Sequence, residues 1–219
     1  MRRPPEPRGE QSRLIEPSPW IVTEPDTDPL TDTPVGIVHP AKRGGRIMDT
    51  PPAAGRLTIS RRTIRVQQGT EMSGALQIRF PDIIGVNESQ RTINGTTVET
   101  VAVRHLDPPA TVLTTEFSVW DDREHDLFTQ FLRRYYRKQK HRIERIELSE
   151  PQFELLTTLY SAVGDIDIES ILDRSTADIT ELFGPLREAG LISGGGIGSM
   201  LTGRGYMLVA DRVADDGLS

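Results

Sequence analysis

Between Val35 and Val119 apolar residues recur at every second position, and few folds accommodate that pattern over such a length. Leu57 and Ile59, Ile64 and Val66, Leu76 with Ile78 and Phe80, Val101 and Val103, and Leu113 with Phe117 and Val119 all alternate with polar neighbours. Period two sends one set of side chains to one face of a strand, so each run predicts a half-buried strand. Asn94-Gly95 is a tight-hairpin signal between Arg91–Ile93 and a strand starting near Thr96. Gly69 and Gly74 mark another loop, and Pro108-Pro109 separates the last two strands. About six or seven short strands in meander order predict a small antiparallel sandwich or barrel.

The period then changes. From Asp121 or Asp122 to about Lys140, Leu127, Phe128, Phe131, Leu132 and Tyr135 fall on one stripe of a helix. An antiparallel sheet closed by one C-terminal amphipathic helix is the plan of a pleckstrin-homology-like (PH-like) domain, which is the expectation for residues 35–146. The end of that helix and its exit, RRYYRKQKHRIER from Arg133 to Arg145, carry seven bases and one acid. Two readings of this run are open. Cations near a helix C-terminus complement the macrodipole and keep a face solvated. Alternatively Arg133, Arg134, Arg137 and Lys138 form a docking surface for protein. Nucleic acid is the weaker partner, because Tyr136 is the only aromatic among these bases expected to be exposed.

The last third predicts a second module, residues 147–213. Ser149 followed by Gln152 is a capping-box start on the stripe Phe153, Leu155, Leu156, Leu159 and Tyr160. Asp167 to Leu172 reads as one or two helical turns. Ser175 caps a helix with apolar Ile179, Leu182, Phe183, Leu186 and Ala189, closed by Gly190. Leu191 and Ile192 lead into Gly194, Gly195, Gly196 and Gly198, then Met200, Leu201 and a new cap at Thr202. Three helices and a hairpin with a glycine tip make the order of a winged helix. The fold class expected is therefore α+β: a PH-like antiparallel sandwich or barrel with its helix, then a winged-helix-like module.

Charge decides what that second module can touch. From Ser149 to Ser219 twelve carboxylates face four arginines, a net of −8. The helix that would enter a major groove offers Asp178, Glu181 and Glu188 against Arg187 alone, and Pro185 interrupts its backbone bonding. DNA affinity rests largely on neutralising phosphates, so an acidic face points to protein instead. Leu182, Phe183 and Leu186 are expected in the core. Met200, Leu201 and Met207 around the glycine tip are candidates for partial exposure, with Met200 and Leu201 as docking residues.

Residues 1–34 hold eight of the sixteen prolines, with Trp20-Ile21-Val22 as their one apolar cluster. Such a composition predicts a disordered tail, and residues 214–219 a second short one. No signal-peptide core or membrane-length apolar run occurs, so the expected location is the cytoplasm, away from membranes. The absence of cysteine excludes disulfides and thiol catalysis. Three lysines against 23 arginines, at net charge −6, fit either a salt-loving cytoplasm or a GC-rich genome.

Catalytic and metal patterns are weak. His39, His105, His125 and His141 are scattered, and Glu124, His125 and Asp126 are adjacent residues that point in different directions. His39 before Pro40 reads as a strand-end residue rather than a base. The GGGIGSM run lacks the Lys and Ser/Thr of a phosphate loop, and Asp165, Asp167 and Glu169 lack EF-hand spacing. The expectation is a protein that is not an enzyme, with no metal and no cofactor.

The order of blocks is distinctive. VHPAKRGGR (Val38 to Arg46), GRLTISRRTIRV (Gly55 to Val66), VAVRHL (Val101 to Leu106), FLRRYYRKQK (Phe131 to Lys140), ELSEPQFELLTTLYSAV (Glu147 to Val163) and LTGRGYMLVADRV (Leu201 to Val213) resemble the archaeal taxis protein CheF family. The resemblance runs from about Val35 to Val213. It implies a non-enzymatic adaptor that couples the phosphorylated response regulator CheY to the switch of the archaellum motor. It also implies a further PH-like module ahead of the HPA segment, where this chain has 34 proline-rich residues, so a shortened member is expected. A homodimer is compatible with this reading. The competing reading is a winged-helix transcriptional regulator that binds DNA.

Overall fold

The computed structural model describes residues 30–69, 75–93, 95–107, 111–161, 175–194 and 198–216. It is an α+β protein with one large antiparallel sheet and, among the described residues, four helices. The sheet contains β1 (Thr33–Arg43), β2 (Arg46–Ile47), β3 (Ala53–Ile59), β4 (Thr63–Gln67), β5 (Leu76–Arg79), β6 (Ile83–Ile93), β7 (Thr96–Asp107) and β8 (Thr111–Val119). A 3-10 turn, Phe80–Asp82, joins β5 to β6. The strand order is β5-β4-β3-β1-β8-β7-β6, with β2 paired to the end of β1. The first and last strands of the expected meander therefore meet in the middle, Val35 opposite Val119 and Ile37 opposite Phe117.

One face of this sheet delivers Val35, Ile37, Leu57, Ile59, Ile64, Val66, Ile78, Val101, Val103 and Phe117 to a single core. Helix α1 (Asp122–Ile143) covers that core with Phe128 and Leu132, while Phe131 and Tyr135 pack at its margin. The side chain of Asp121 caps α1 by accepting from the Glu124 amide at 2.9 Å. Two details differ from expectation. The helix runs three residues past Lys140 to Ile143, because Ile143 is buried in a second core. Leu127, expected on the apolar stripe, is 43% exposed.

That second core is built from both parts of the chain. Ile84 of β6, Leu106 of β7 and Ile143 of α1 pack with Leu155, Leu156, Ile179, Phe183, Leu186, Leu191, Ile192, Met207, Leu208 and Val209. The latter come from α2 (Glu150–Ser161), α3 (Thr176–Glu188), β9 (Ile192–Ser193) and α4 (Gly203–Asp216). The Ser149 amide donates to Gln152 Oε1 at 3.0 Å, the expected capping-box contact. Ser175 caps α3 through the Asp178 amide, and α3 continues through Pro185 to Glu188. At its end Gly190 (φ +67°) donates to Arg187 O and Leu191 to Leu186 O, which is a Schellman closure. Strand β10 (Met200–Leu201) pairs with β9, and Thr202 caps α4 through Gly205 N.

Several expectations fall outside the described residues: the tail up to residue 29 with Trp20-Ile21-Val22, Pro108-Pro109, the turn Asp167–Leu172, and the carboxylates Asp165, Asp167 and Glu169. Leu30 is buried and Thr33 begins β1, so ordered structure starts before Val35. At the other end α4 reaches Asp216, three residues past Val213.

Candidate protein-docking site

Phe128 and Leu132 turn one side of α1 into the sheet, which leaves the opposite side in solvent. Arg133, Arg134, Arg137 and Lys138 are all exposed on it. Their spacing places them on adjacent turns of one face, so they form a basic ridge. Arg133 Nη2 pairs with Glu88 at 2.8 Å, an exposed contact worth little on its own. No hydrogen bond or ion pair joins Arg134, Arg137 or Lys138 to another described residue. Further along, Lys140 faces Asp211 of α4 at 3.6 Å, and Arg145 Nη2 meets His141 Nε2 at 2.8 Å.

The inner side of the same helix is polar where it meets α4. Gln139 is buried and accepts from Arg204 Nε at 3.0 Å. Burial, then the neighbouring Arg142, lowers the Arg204 pKa, and burial pushes Tyr135 up to about 12. Arg212 Nη2 donates to Ile146 O at 2.8 Å, with its guanidinium 5.4 Å from the Phe153 ring. These contacts lock the helix between the two cores and leave its basic face outward.

Met200 is 37% exposed on β10, whereas Leu201 is half-buried against the second core and Met207 is buried. Leu182 lies at the margin of that core, with Phe183 and Leu186 inside. Arg187 Nε donates to Gly194 O at 3.1 Å, fastening the start of the hairpin to α3. Asp178, Glu181 and Glu188 are exposed on α3. The basic ridge and Met200 thus sit on separate elements, and no hydrogen bond or ion pair joins them.

The structure also brings together residues that the sequence left scattered. His39 and His105 stack at 5.9 Å, and both reach Thr115 Oγ1, at 2.8 Å from His39 Nδ1 and 3.0 Å from His105 Nε2. The hydroxyl has one proton to donate, so Thr115 accepts from at least one of the two imidazole rings. Burial, then repulsion by His39, lowers His105 to about 4, and burial lowers His39. A cavity of about 200 Å³ beside them is lined by Gln77, Arg79, Asp82 and Asp107. Arg79 and Asp82 are already paired there at 2.6 Å. A histidine at about 4 is a poor base near neutral pH, so the pair reads as a polar part of the core. His125 meets Glu99 at 3.9 Å, while Glu124 instead accepts from Thr33 Oγ1 at 3.0 Å. Among the described residues no three His, Asp or Glu side chains converge as metal ligands, and no helix is long and apolar enough to cross a membrane.

Comparison with known proteins gives these surfaces a context. The family described as "Archaeal Chemotaxis signal transduction system protein F" matches residues 28–138, which contain the whole sheet and most of α1. Taxis protein CheF2 of Halobacterium salinarum (strain ATCC 29341 / DSM 671 / R1) is 26% identical over 183 residues, 84% of this chain. The aligned part spans 62% of the length of that relative. By its matched residues this chain belongs to the CheF family of archaeal chemotaxis signal transduction proteins.

Proposed function

We propose that this protein is a non-enzymatic adaptor in the cytoplasm that connects phosphorylated CheY to the switch of the archaellum motor. The observation that carries the reading is the outward basic ridge of α1 in a chain of net charge −6 that belongs to a chemotaxis signalling family. Exposed cations on a helix whose other face is buried on both sides of Tyr135 form a rigid surface, and rigidity lowers the cost of binding. The architecture we propose for it is a PH-like unit, residues 35–146, and a winged-helix-like unit, residues 147–213. The helix over the sheet supports the first, and the order α2, α3, β9, β10 supports the second. The acidic face of α3 favours protein over DNA as the second unit's partner.

The test is a pull-down of CheY, with and without phosphorylation, and of archaellum switch proteins, beside a DNA shift assay. The adaptor retains phosphorylated CheY more strongly than the unphosphorylated form, and retains switch protein, without shifting DNA. Replacing Arg133, Arg134, Arg137 and Lys138 with Glu weakens at least one complex by about tenfold or more, with the thermal midpoint nearly unchanged. A DNA shift without protein retention would establish the regulator reading instead. Unchanged affinity of the quadruple variant for every partner would return the ridge to a solvated face.

A further inference from the structure

The VHPAKRGGR segment leads into the β1–β2 hairpin: Val38 and Ala41 are buried, but the side chains from Lys42 to Ile47 belong to neither core. Gly44 (φ +54°) and Gly45 (φ +81°) make a two-residue turn with both residues left-handed, the tight geometry that suits strand twist. Arg43 stands directly opposite Arg46, and Lys42 opposite Ile47. The hairpin is held firmly: Lys42 pairs with Thr114 and Arg43 with Leu113 of β8, and Gly44 N donates to Val112 O at 2.8 Å. Met48 N donates to Ala41 O at 2.9 Å and ties the return strand down. Lys42, Arg43, Arg46 and Ile47 are nevertheless all exposed, Ile47 by 77%.

Like charges directly opposite each other destabilise a strand pair. Here the two arginines stand opposite each other on a fixed backbone, and no described carboxylate forms an ion pair with them or with Lys42. Nothing within the described fold compensates that repulsion, whereas a carboxylate from outside would. Guanidiniums also match carboxylates in geometry better than they match a diffuse anionic surface.

We infer that the hairpin from Lys42 to Ile47 docks an acidic protein segment on the face that carries Arg43 and Arg46, whose carboxylates bridge the two arginines. Membrane recognition by charge uses clusters of about four to eight cations with broader apolar burial, and this hairpin has three cations and one isoleucine. Sequence-tolerant nucleic-acid binding uses stacking aromatics, and the hairpin has none. The inference rests on the adaptor reading only in taking a protein as partner, and it places this contact on a different element from the α1 ridge.

The probe is a fluorescein-labelled synthetic peptide alternating Glu with Leu, titrated into the whole protein at low salt and followed by anisotropy. The same variants are tested in parallel with vesicles of anionic lipid. The wild-type chain binds the peptide, and Arg43→Glu with Arg46→Glu weakens binding by about tenfold or more. Ile47→Ser, on the opposite face of the hairpin, leaves it unchanged, as does Arg61→Glu with Arg62→Glu in the β3–β4 turn. Arg43→Glu alone raises the thermal midpoint while lowering affinity, because it converts the repelling pair into an attracting one. Absence of peptide binding by wild type, equal affinity of the hairpin double variant, or an equal loss in either control overturns the inference. Hairpin-dependent vesicle binding without peptide binding overturns it in favour of lipid. Peptide binding through the hairpin alongside a failed CheY pull-down would remove the proposed partner and leave the hairpin site standing.

Discussion

His39 and His105 show what a single residue's sequence context leaves out. Each sits in a strand pattern that is readable locally, yet their meeting at Thr115 depends on β1, β8 and β7 lying side by side. It depends too on the register shift between Val38 and Lys42, and no periodic signal encodes either condition. The chemistry that follows is testable. His105 has its ordinary value of 6.5 when unfolded and about 4 when folded, so below pH 6.5 the unfolded chain binds a proton that the folded chain refuses. The folded-state pKa is depressed, so this stability is present above pH 6.5 and is lost progressively as pH falls to about 4. The loss is on the order of 3 kcal/mol, by the free-energy equivalent of such a displacement. His39 is displaced in the same direction and adds to the slope. The check is the thermal midpoint of wild type and His105→Gln between pH 7 and 4. The variant should show a shallower decline, and parallel curves would mean that His105 does not carry the effect.

At the scale of elements, legibility followed local chemistry. The Ser149–Gln152 box, the Ser175 cap and the Gly190 closure are all contacts within one turn, and all three could be read directly. The long polar run Asn87–Thr92 gave only its last residues away as strand, because β6 is an edge whose side chains are not forced into alternation. Leu127 was misread for the opposite reason. A stripe drawn on the helix alone cannot show how wide the sheet beneath it is, and here the contact is met by Phe128. The docking residues have no local signature beyond charge and exposure, so the sequence offered Met200 only as a candidate. Being 37% exposed on β10, Met200 should behave as a surface residue. Met200→Ala should change stability by less than about 1 kcal/mol, against about 2–5 kcal/mol for a core methionine. It should also loosen a complex with CheY or a switch protein. Denaturant titration and the pull-down measure the two arms, and a core-sized loss, or no change in either arm, ends the docking role of this residue.

The molecule as a whole is two cores sharing α1 and the sheet. Ile84, Leu106 and Ile143 come from the sheet and α1 but pack with the later helices. The LTGRGY segment makes the connection. A Cβ on Gly203 would collide with the carbonyl oxygen of Pro81, and one on Gly205 with that of Leu191. Between them Arg204 reaches Gln139 on α1. These glycines look like simple helix-start residues in sequence. The reason for Gly203 is the approach of α4 to the 3-10 turn Phe80–Asp82, and for Gly205 its approach to the Leu191 backbone, and only the assembled molecule contains either. Gly203→Ala must therefore push α4 away from the turn and disturb Met207, Leu208 and Val209 beneath it. Backbone oxygens cannot swing aside as a flexible side chain could, so the expected loss is about 1–3 kcal/mol or more. Gly198 supplies the control. It is exposed, its φ lies outside the left-handed range and nothing stands within 4 Å of the Cβ it lacks, so Gly198→Ala should stabilise the protein by about 0.4–1 kcal/mol. Guanidinium titrations of the two variants should move their midpoints in opposite directions. If Gly203→Ala leaves the midpoint in place, α4 does not approach the turn this closely, and the two cores are not joined there.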